Sequence, residues 1–366
     1  MSDLKYWLAL NSLPDVGPVL ARKLLTVFGN PENIFKLSVD ELKRVENIGE
    51  NRARSIVGFK QWDMIQREID GAMSSNTKLI TIKDKAYPQA LRNLHDAPPV
   101  LYVKGEIKDC DRYAVAIVGS RASTSYGLRI AEKLSYEIAA YGLTIISGMA
   151  RGIDAASHKG ALRAGGRTVA VLGSGIDVPY PPENRGLMDA ITSSGAVISE
   201  FPLGTKPFKE NFPRRNRIIS SLSLGILVVE AAVDSGSLIT VGYALEQGKE
   251  IFAVPGNIIS KNSKGTNDLI KKGAKLVESA EEVIDELRPQ IKGILREEKI
   301  MSEKPRPEMS GEEAVLYKYL SHDPVHIDEI VRGTKIPSGK ALSILLNLEL
   351  KGIISQTEGK LFYVNY

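Results

Sequence analysis

The sequence predicts an α/β protein: a doubly wound, Rossmann-like parallel sheet lies between an N-terminal helical domain and a C-terminal winged helix. Three observations predict this order. Over residues 111–288, apolar and β-branched runs alternate with helical stretches, as in a parallel sheet covered on both faces. Residues 1–75 contain short helices and no strand pattern. Residues 310–366 show three helices followed by strand, turn and strand, which suits a small winged helix.

Composition permits a sizeable core and limits the possible classes of protein. The 366 residues are 43% hydrophobic, carry a net charge of +4 and include one cysteine, Cys110. A mildly basic chain permits a polyanionic partner without requiring one. A single cysteine excludes an internal disulfide and a cysteine-based metal site. No apolar run reaches the ~18 residues of a membrane span, and the N-terminus does not resemble a signal peptide, so we expect a cytoplasmic protein without a membrane span.

Two similar stretches in the first domain predict a pair of helix-hairpin-helix units, in a SAM-like arrangement. They are LPDVGPVLARKLL and VENIGENRARSIV, each with a glycine directly before a helix. The turn of such a hairpin exposes backbone N–H groups that can hold a phosphate. Asp15 and Asn47 replace the first glycine of the usual turn, and Asp15 adds a negative charge there. Packing or protein contact is therefore favoured for this domain, and DNA contact remains the alternative.

Two segments are predicted to join the domains. Residues 76–110 contain proline clusters and one short strand, VLYVKG, and are expected to be a connector laid on the sheet domain. Residues 289–309 are polar and charged and contain prolines, as in a linker. The winged helix has six basic and seven acidic residues, whereas a winged helix that binds DNA by itself is usually plainly basic. A protein-contact or regulatory role is favoured there over DNA reading.

The loops that follow the predicted strands are rich in glycine, serine and arginine, and several open a helix. Ligands of open parallel sheets bind where the strands end. Glycine permits close backbone approach, helix N-termini offer unpaired N–H groups, and arginine makes planar contacts with phosphate. This combination predicts a phosphate-binding crevice. Its candidate residues are Gly119, Ser120, Arg121, Arg151, Arg214, Arg215 and Arg217.

The stretch FPRRNRIIS, in the loop expected after the fourth strand, adds an aromatic residue to these charges. Phe212 directly precedes the arginines, and Lys209 lies three residues earlier. Positive grooves with aromatic platforms bind single strands of nucleic acid. Neither G-x-G-x-x-G nor a P-loop pattern is present, so no nucleotide cofactor is expected. The alternative for the arginines is ion pairing with Glu200 or Glu230.

Long blocks between residues 113 and 278 resemble the DprA (Smf) family of DNA-processing proteins. They include AIVGSRASTSYG, SGMARGIDAASHKGAL, GGRTVAVLGSGIDVPYPPEN, ISEFPLG, FPRRNRIIS, SGSLITVGYALEQGKEIFAVPG and KGTNDLIKKGA. The resemblance implies a homodimer that binds single-stranded DNA and places the RecA recombinase on it during natural transformation. The DNA contacts that it implies are Gly119, Ser120, Arg121, Lys209, Phe212, Arg215, Asn216 and Arg217.

An enzyme is the alternative class, because the same sheet resembles, more remotely, the lysine-decarboxylase-like phosphoribohydrolases. Those enzymes carry P-G-G-x-G-T-x-x-E, whereas the corresponding place here is DSGSLITVGYALE, with no glutamate before Glu246. Asp154 and His158, at i,i+4 spacing on one helix, are the best remaining acid–base pair, although such pairs more often stabilise the helix. The other histidines are scattered, so we expect no metal site and no catalytic residues. A pure interaction scaffold would leave the arginines unexplained.

Overall fold

The computed structural model describes residues 3–291, 309, 311–321, 324–351, 353–357 and 359–364. The chain divides into two compact units, residues 1–300 and 301–366. Most of the predicted linker, 289–309, lies outside the described residues; residues 289–291 and 309 are the exceptions.

The first 75 residues fold as helices, as predicted. These are α1 (Leu4–Ser12), α2 (Pro18–Phe28), α3 (Pro31–Ile34), α4 (Val39–Leu42), α5 (Glu50–Val57) and α6 (Trp62–Ser74). Apolar side chains of α1 to α5 and their turns close a small core of their own. The helices α2 and α5 begin after Gly17 and Gly49, and Asn47 takes up a left-handed conformation in the second turn. Asparagine tolerates that conformation, so the substitution leaves the turn intact.

The sheet of the first unit is larger than the sequence predicts. Within residues 3–291, its nine strands are β1 (Lys78–Thr81), β2 (Val100–Gly105), β3 (Ala114–Val118), β4 (Thr144–Ser147), β5 (Thr168–Leu172), β6 (Ala196–Ser199), β7 (Gly225–Val228), β8 (Glu250–Ala253) and β9 (Lys275–Leu276). Their order is β1-β2-β6-β5-β4-β3-β7-β8-β9. From β6 to β9 all neighbours are parallel.

The interpretation of residues 76–110 as a connector is wrong in one respect. Instead of lying on the sheet domain, this segment supplies β1 and β2, which extend the sheet by antiparallel pairing along β6. The physical reason is burial: the first four residues of β2 are buried and its backbone groups pair with strands on both sides.

Helices cover both faces of the sheet. They are α7 (Gln89–Arg92), α8 (Ser125–Ala140), α9 (Ile153–Arg163), α10 (Arg185–Ser194), α11 (Asn211–Leu222), α12 (Ser237–Glu246), α13 (Lys261–Lys271) and α14 (Ala280–Leu287). Strand side chains alternate between the faces. One apolar cluster joins the sheet to α7, α11 and α12, and two others join its opposite face to α8, α9, α10 and α14.

Chain order places a topological switch point between β3 and β7. The chain winds outward from β3 through β4, β5 and β6, then returns through α11 and continues with β7 on the other side of β3. The connections that follow β3 and β7 therefore leave in opposite directions, and a crevice opens at the carboxyl ends of these strands. The doubly wound, mostly parallel architecture predicted from the sequence is confirmed.

The second unit is a winged helix, also as predicted. Its described elements are α15 (Gly311–Tyr319), β10 (Val325–His326), α16 (Ile327–Thr334), α17 (Ser338–Leu350), β11 (Ile354–Thr357) and β12 (Leu361–Val364). The strands pair antiparallel in the order β10-β12-β11, and the three helices share one apolar core with them. The third helix, α17, exposes Leu342, Leu346 and Leu350 on its outer side. That apolar surface favours protein contact over DNA reading for this helix.

Candidate nucleic-acid interface

A large crevice lies at the switch point of the first unit and has a volume of about 660 Å³. The loop after β3, the start of α11 and the start of α12 form its walls. Its lining includes Val118, Gly119, Ser120, Arg121, Ala150, Asp154, Tyr180, Lys209, Phe212, Arg215, Asn216, Ile219, Ser235, Gly236, Ser237 and Thr240. The crevice lies at the carboxyl edge of the sheet, where the sequence predicts the site.

The stretch around the arginines is a helix rather than the expected loop. The helix places the predicted site residues on two different sides. Helix α11 begins at Asn211, and residues three or four apart share one side of it. Phe212, Arg215 and Asn216 lie on the side that lines the crevice. Arg214 and Arg217 are three residues apart on another side, where both approach Glu200.

Arg215 is held at the floor of the crevice by backbone carbonyls. Its side chain is almost fully buried, and its Nη1 donates to the carbonyl of Gly148 (2.7 Å) and to that of Val171. Gly148 is needed for this contact, because a Cβ there would lie 2.4 Å from Nη1. Burial lowers the pKa of Arg215 to about 10, and the nearby Asp154 limits the decrease. The guanidinium is therefore charged at neutral pH and ties the ends of β4 and β5 together.

Asp154, at the start of α9, brings a carboxyl group to the same floor. It is buried and accepts a long hydrogen bond from the backbone N–H of Ala150 (3.4 Å). Burial raises the pKa of Asp154, and the charge of Arg215 opposes this shift. The floor thus holds a buried guanidinium and a buried carboxyl group, each of which favours the charged form of the other.

His158 does not reach the crevice and forms no acid–base pair with Asp154. The hydroxyl of Thr168 donates to the carbonyl of Ile145 (2.8 Å), so it accepts from the Nδ1–H of His158 (2.6 Å). This bond fixes the tautomer of the neutral ring. Burial, together with the positive charge of Arg215, lowers the pKa of His158 to about 3. An uncharged ring held this way supports packing of α9 against β5.

An arginine stacks on an aromatic ring at the exposed side of the crevice. The guanidinium carbon of Arg121 lies 4.7 Å from the ring centre of Phe212, and the ring of Tyr180 lies 5.7 Å from the same centre. Phe212 sits directly over Gly173, where a Cβ would come within 2.8 Å of its ring. The arrangement places a cation, a half-buried ring and a second aromatic ring in one row. Such a row can contact a phosphate and a base at neighbouring positions.

The loop that carries Arg121 is shaped by a buried acid at the end of β7. Glu230 accepts from the N–H (2.9 Å) and the hydroxyl (2.5 Å) of Thr124, which caps α8. Its backbone carbonyl accepts from the N–H of Ser120 (2.7 Å). Glu230 therefore fixes the loop and does not pair with any of the three arginines of α11, so that part of the alternative interpretation is wrong.

Lys209 is exposed at the rim, and no ion pair is recorded for it among the described residues. Asn216 is buried, accepts from the Nε of Arg215 (3.1 Å) and approaches the carbonyl of Gly236 with its own amide (3.4 Å). The rim therefore carries the positive charges of Arg121 and Lys209, while Asn216 joins α11 to the start of α12.

The expectation that Arg217 lines the crevice is wrong. Its guanidinium is buried and pairs with Glu200 (Nη2 to Oε2, 2.6 Å) and with Asp96 (Nε to Oδ2, 3.1 Å). Arg217 therefore pairs with Glu200, as the alternative interpretation of the arginines predicts. Burial raises the pKa of Glu200, whereas the charges of Arg217 and Arg214 oppose that shift. This ion-paired group fastens α11 to β6 and to the segment before β2.

Arg214 and Arg151 also lie outside the lining of the crevice. Arg214 is 54% exposed, reaches Glu200 at 3.7 Å and stacks over Phe201. Arg151 is 61% exposed and pairs with Glu183. The predicted convergence of five arginines is therefore correct for Arg121 and Arg215 only.

The crevice includes residues that the sequence analysis did not name as contacts, among them Ile219 on α11 and Ile239 and Thr240 on α12. Ser235, Gly236 and Ser237, in the turn that opens α12 after β7, line it as well, and this turn is one of the loops that the sequence places at the carboxyl edge of the sheet. The sequence does contain a signal for the turn, because Ser-Gly-Ser follows a buried strand and precedes a helix. Ile219 follows from the helical spacing of Phe212 and Arg215, once α11 is recognised as a helix.

The fold and the crevice define a class of protein. It is a Rossmann-like α/β protein with a cationic, aromatic crevice at its switch point, preceded by tandem helical hairpins and followed by a winged helix. The model of the family described as DNA recombination-mediator protein A matches residues 78–288, and that of the DprA winged helix domain matches residues 302–360. The SAM-like helix-hairpin-helix tandem matches residues 8–58. The chain belongs to the DprA (Smf) family of DNA-processing proteins.

Relatives and solved structures agree with this assignment. Protein Smf of Synechocystis sp. is 34% identical over 98% of each chain, and DNA processing protein DprA of Streptococcus pneumoniae is 45% identical over 56% of this chain and 73% of its own. The X-ray structure of DprA from Streptococcus pneumoniae matches with a TM-score of 0.68 at 35% identity, covering 77% of this chain and 97% of that one. A Helicobacter pylori DNA processing protein A, solved to show a single-stranded DNA binding mode, matches with a TM-score of 0.53 at 30% identity, covering 59% and 98%.

None of the helices in the described residues is long and apolar enough to cross a membrane. Within the same residues, no cluster of three histidine, cysteine or acidic side chains could hold a metal ion.

Proposed function

We propose that the crevice binds single-stranded DNA and that the protein loads the RecA recombinase on it during natural transformation and homologous recombination. The observation that carries the DNA proposal is the stack of Arg121 on Phe212 at the rim of a crevice at the switch point. A cation beside an aromatic platform suits a strand whose bases are unpaired. The single-stranded DNA binding mode of the Helicobacter pylori relative supports the same reading.

Within this proposal the lining residues have different roles. Arg121 and Lys209 contact phosphates, because both are exposed cations at the rim. Phe212 stacks on a base, and Gly119 and Ser120 let the backbone approach the strand closely. Arg215 and Asn216 support the floor. The proposed contacts leave out Arg151, Arg214 and Arg217. These three lie outside the lining of the crevice and form ion pairs with acidic side chains.

A mobility-shift titration with single- and double-stranded oligonucleotides at two salt concentrations tests DNA binding. We expect tighter binding to the single strand, little sequence preference, and a decrease in affinity with salt of about 0.7 in logarithmic slope for each phosphate neutralised. Lys159→Glu reverses an exposed charge on α9, outside the lining of the crevice. As a control for general charge effects, it should bind both oligonucleotides like the wild type. Equal or tighter binding of a blunt duplex would contradict the proposal.

Loading requires that the protein leave the strand as the recombinase filament grows. Phosphate contacts allow this, because they can be released one nucleotide at a time. The assay is the DNA-dependent ATPase of RecA on strands coated with single-strand-binding protein. We expect a shorter lag with the wild type and no shortening with the Arg121→Ala/Lys209→Ala double variant. An unchanged or longer lag with saturating wild type would reduce the function to strand binding alone.

A homodimer, also implied by the resemblance, has a candidate surface at the β9 edge of the sheet. Ile258 and Ile259 are each 84% exposed, and Val233 and Leu276 are exposed nearby in one shallow pocket with Ile258. A second copy would remove this apolar surface from water. Sedimentation should show a dimer for the wild type and a monomer for Ile258→Asp/Ile259→Asp. Val27→Asp, at a position 60% exposed in α2, is the control, and a monomeric wild type would refute the dimer.

We propose no catalytic step, and the cytoplasmic location stays a prediction from the sequence. The phosphoribohydrolase alternative requires a general acid–base within reach of the ligand. His158 is neutral and outside the crevice, which leaves Asp154 alone. Release of base or ribose phosphate from nucleoside monophosphates that disappears in Asp154→Asn would restore the enzyme interpretation.

A further inference from the structure

A second cavity lies on the α7 and α11 face of the sheet and shares no lining residue with the crevice. Its volume is about 240 Å³. Its apolar lining includes Ile146, Val169 and Ile198 from three neighbouring strands, together with Ile107 and with Leu222 at the end of α11. The cavity is therefore an opening in the helix layer, walled by the half-buried Ile107 and Leu222, above strand side chains that are themselves buried.

Four basic side chains contribute to the same lining: Lys85, Arg92, Lys108 and Arg112. The guanidinium of Arg92 is fixed by the carbonyl of Ile82 (3.0 Å) and by that of Asp84. Lys85 and Arg112 are exposed, and no ion pair with an acid is recorded for either among the described residues.

The acids of this lining do not balance those charges. Asp111 is buried and receives two hydrogen bonds of 2.8 Å from the guanidinium of Arg167 and one from the hydroxyl of Thr144. It is therefore already neutralised. Asp109 remains in the lining, and Glu106 lies 3.6 Å from the ammonium group of Lys108. The rim keeps an excess of positive charge around an apolar floor.

These features specify the chemistry of an occupant. An engineered apolar cavity of ~150 Å³ binds benzene, so a cavity of this size has room for a phenylalanine or leucine side chain. The basic rim complements acidic groups beside that side chain. A nucleic-acid strand would also satisfy the rim, but the polar edges of a base would find few partners at the apolar floor.

We propose that this cavity is a docking site for an acidic peptide segment of a partner protein, which inserts one bulky apolar side chain. The site is independent of DNA binding, because it shares no residue with the crevice. A partner bound here leaves the crevice open, although α11 contributes to both. Affinity depends on salt, because the charged contacts are exposed.

The test uses fluorescence anisotropy of the full chain with a labelled peptide of aspartates that ends in phenylalanine. Peptides ending in serine, or with the aspartates replaced by asparagines, are the matched probes. Lys85→Glu/Arg112→Glu reverses two exposed charges of the rim, and Ala86→Trp places a ring at an exposed rim position. Lys159→Glu/Lys272→Glu reverses the same number of exposed charges elsewhere.

We expect the phenylalanine peptide to bind, and both rim variants to weaken it by about tenfold or more, since each lost or reversed surface pair contributes a few-fold. The control double variant should bind like the wild type, and every variant should keep its affinity for single-stranded DNA. Equal binding of the serine peptide would reduce the effect to non-specific charge attraction and overturn the proposal. Three other results would overturn it: no binding of the phenylalanine peptide, displacement of that peptide by an oligonucleotide, or displacement of that peptide by small fatty acids only.

Discussion

Replacing the ring of Phe212 separates stacking from charge in the crevice. Phe212→Leu keeps most of the volume that packs over Gly173 but removes the aromatic face, and Phe212→Tyr keeps that face. Stacking of one base on an aromatic side chain is worth ~1–3 kcal/mol, which corresponds to a loss of about 5- to 150-fold in affinity for Phe212→Leu. Phe212→Tyr should stay close to the wild type.

The salt dependence of the dissociation constant identifies the kind of contact. Stacking releases no counterion, so Phe212→Leu should leave the salt slope unchanged. Arg121→Ala removes a phosphate partner and should flatten the slope by about 0.7. Because Arg121 lies 4.7 Å from the ring centre of Phe212, the double variant should deviate from additivity by ~0.5–1 kcal/mol, the size of an exposed cation–π contact.

The assay is a fluorescence titration of labelled oligothymidine at four salt concentrations, with urea unfolding of each variant as a check on the fold. A flatter slope in Phe212→Leu would mean that the ring only positions Arg121 for a phosphate. An equal loss in Phe212→Tyr and Phe212→Leu would mean that the position is sensitive to shape rather than to stacking. Either result would refute the base-stacking role.

Three further outcomes are expected. Arg215→Met should cost ~3–5 kcal/mol of unfolding free energy in urea, because it leaves the buried carbonyls of Gly148 and Val171 without a donor and removes the charge that favours ionised Asp154. Arg121→Ala should change the unfolding free energy by less than about 0.5 kcal/mol; a stable Arg215→Met that only lost DNA affinity would make Arg215 a ligand group. Arg217→Met should raise the pKa of Glu200 further, so the folded state binds a proton more readily than the unfolded state. The loss of stability should therefore shrink as pH falls through the raised pKa of Glu200 towards the ordinary carboxyl range, and a loss that grew as pH fell would contradict this sign. Deletion of residues 305–366 should leave single-strand affinity within about tenfold in the same titration, because all of those residues belong to the separate second unit. A larger loss would place the winged helix in the DNA site.

The position of the site could be predicted from the sequence, whereas the orientation of several side chains could not. Parallel strands buried on both faces give continuous apolar runs, and the residues after each run mark one edge of the sheet. That logic found the loop of Arg121 and the neighbourhood of Phe212. It treated residues up to Arg217 as a loop, and so lost the helical phase that separates Arg215 from Arg217. Pro213 was the available signal, because proline is tolerated in the first turn of a helix.

The partners of the buried charges depend on tertiary structure, which explains the remaining differences. Arg217 pairs with Asp96, which comes from the segment interpreted as a connector, and no local pattern relates the two. The strand β1 is four residues long, and its pairing with β2 at the edge of the sheet follows from the position of β6 rather than from its own sequence.

The distribution of charge in the crevice indicates how a strand would lie in it. At the floor, Arg215 shares the buried space with the carboxyl group of Asp154, and its hydrogen bonds go to backbone carbonyls. At the rim, Arg121 and Lys209 are exposed cations. A phosphate gains more from the rim than from a floor that also holds a carboxyl group, and a base loses less than a phosphate on entering a partly dry pocket. A bound strand would therefore keep its phosphates along the rim and direct a base inward past Phe212. Arg215 and Arg217, the two buried arginines of α11, are not needed at the rim. They hold the helix in the position that places Phe212 at the crevice.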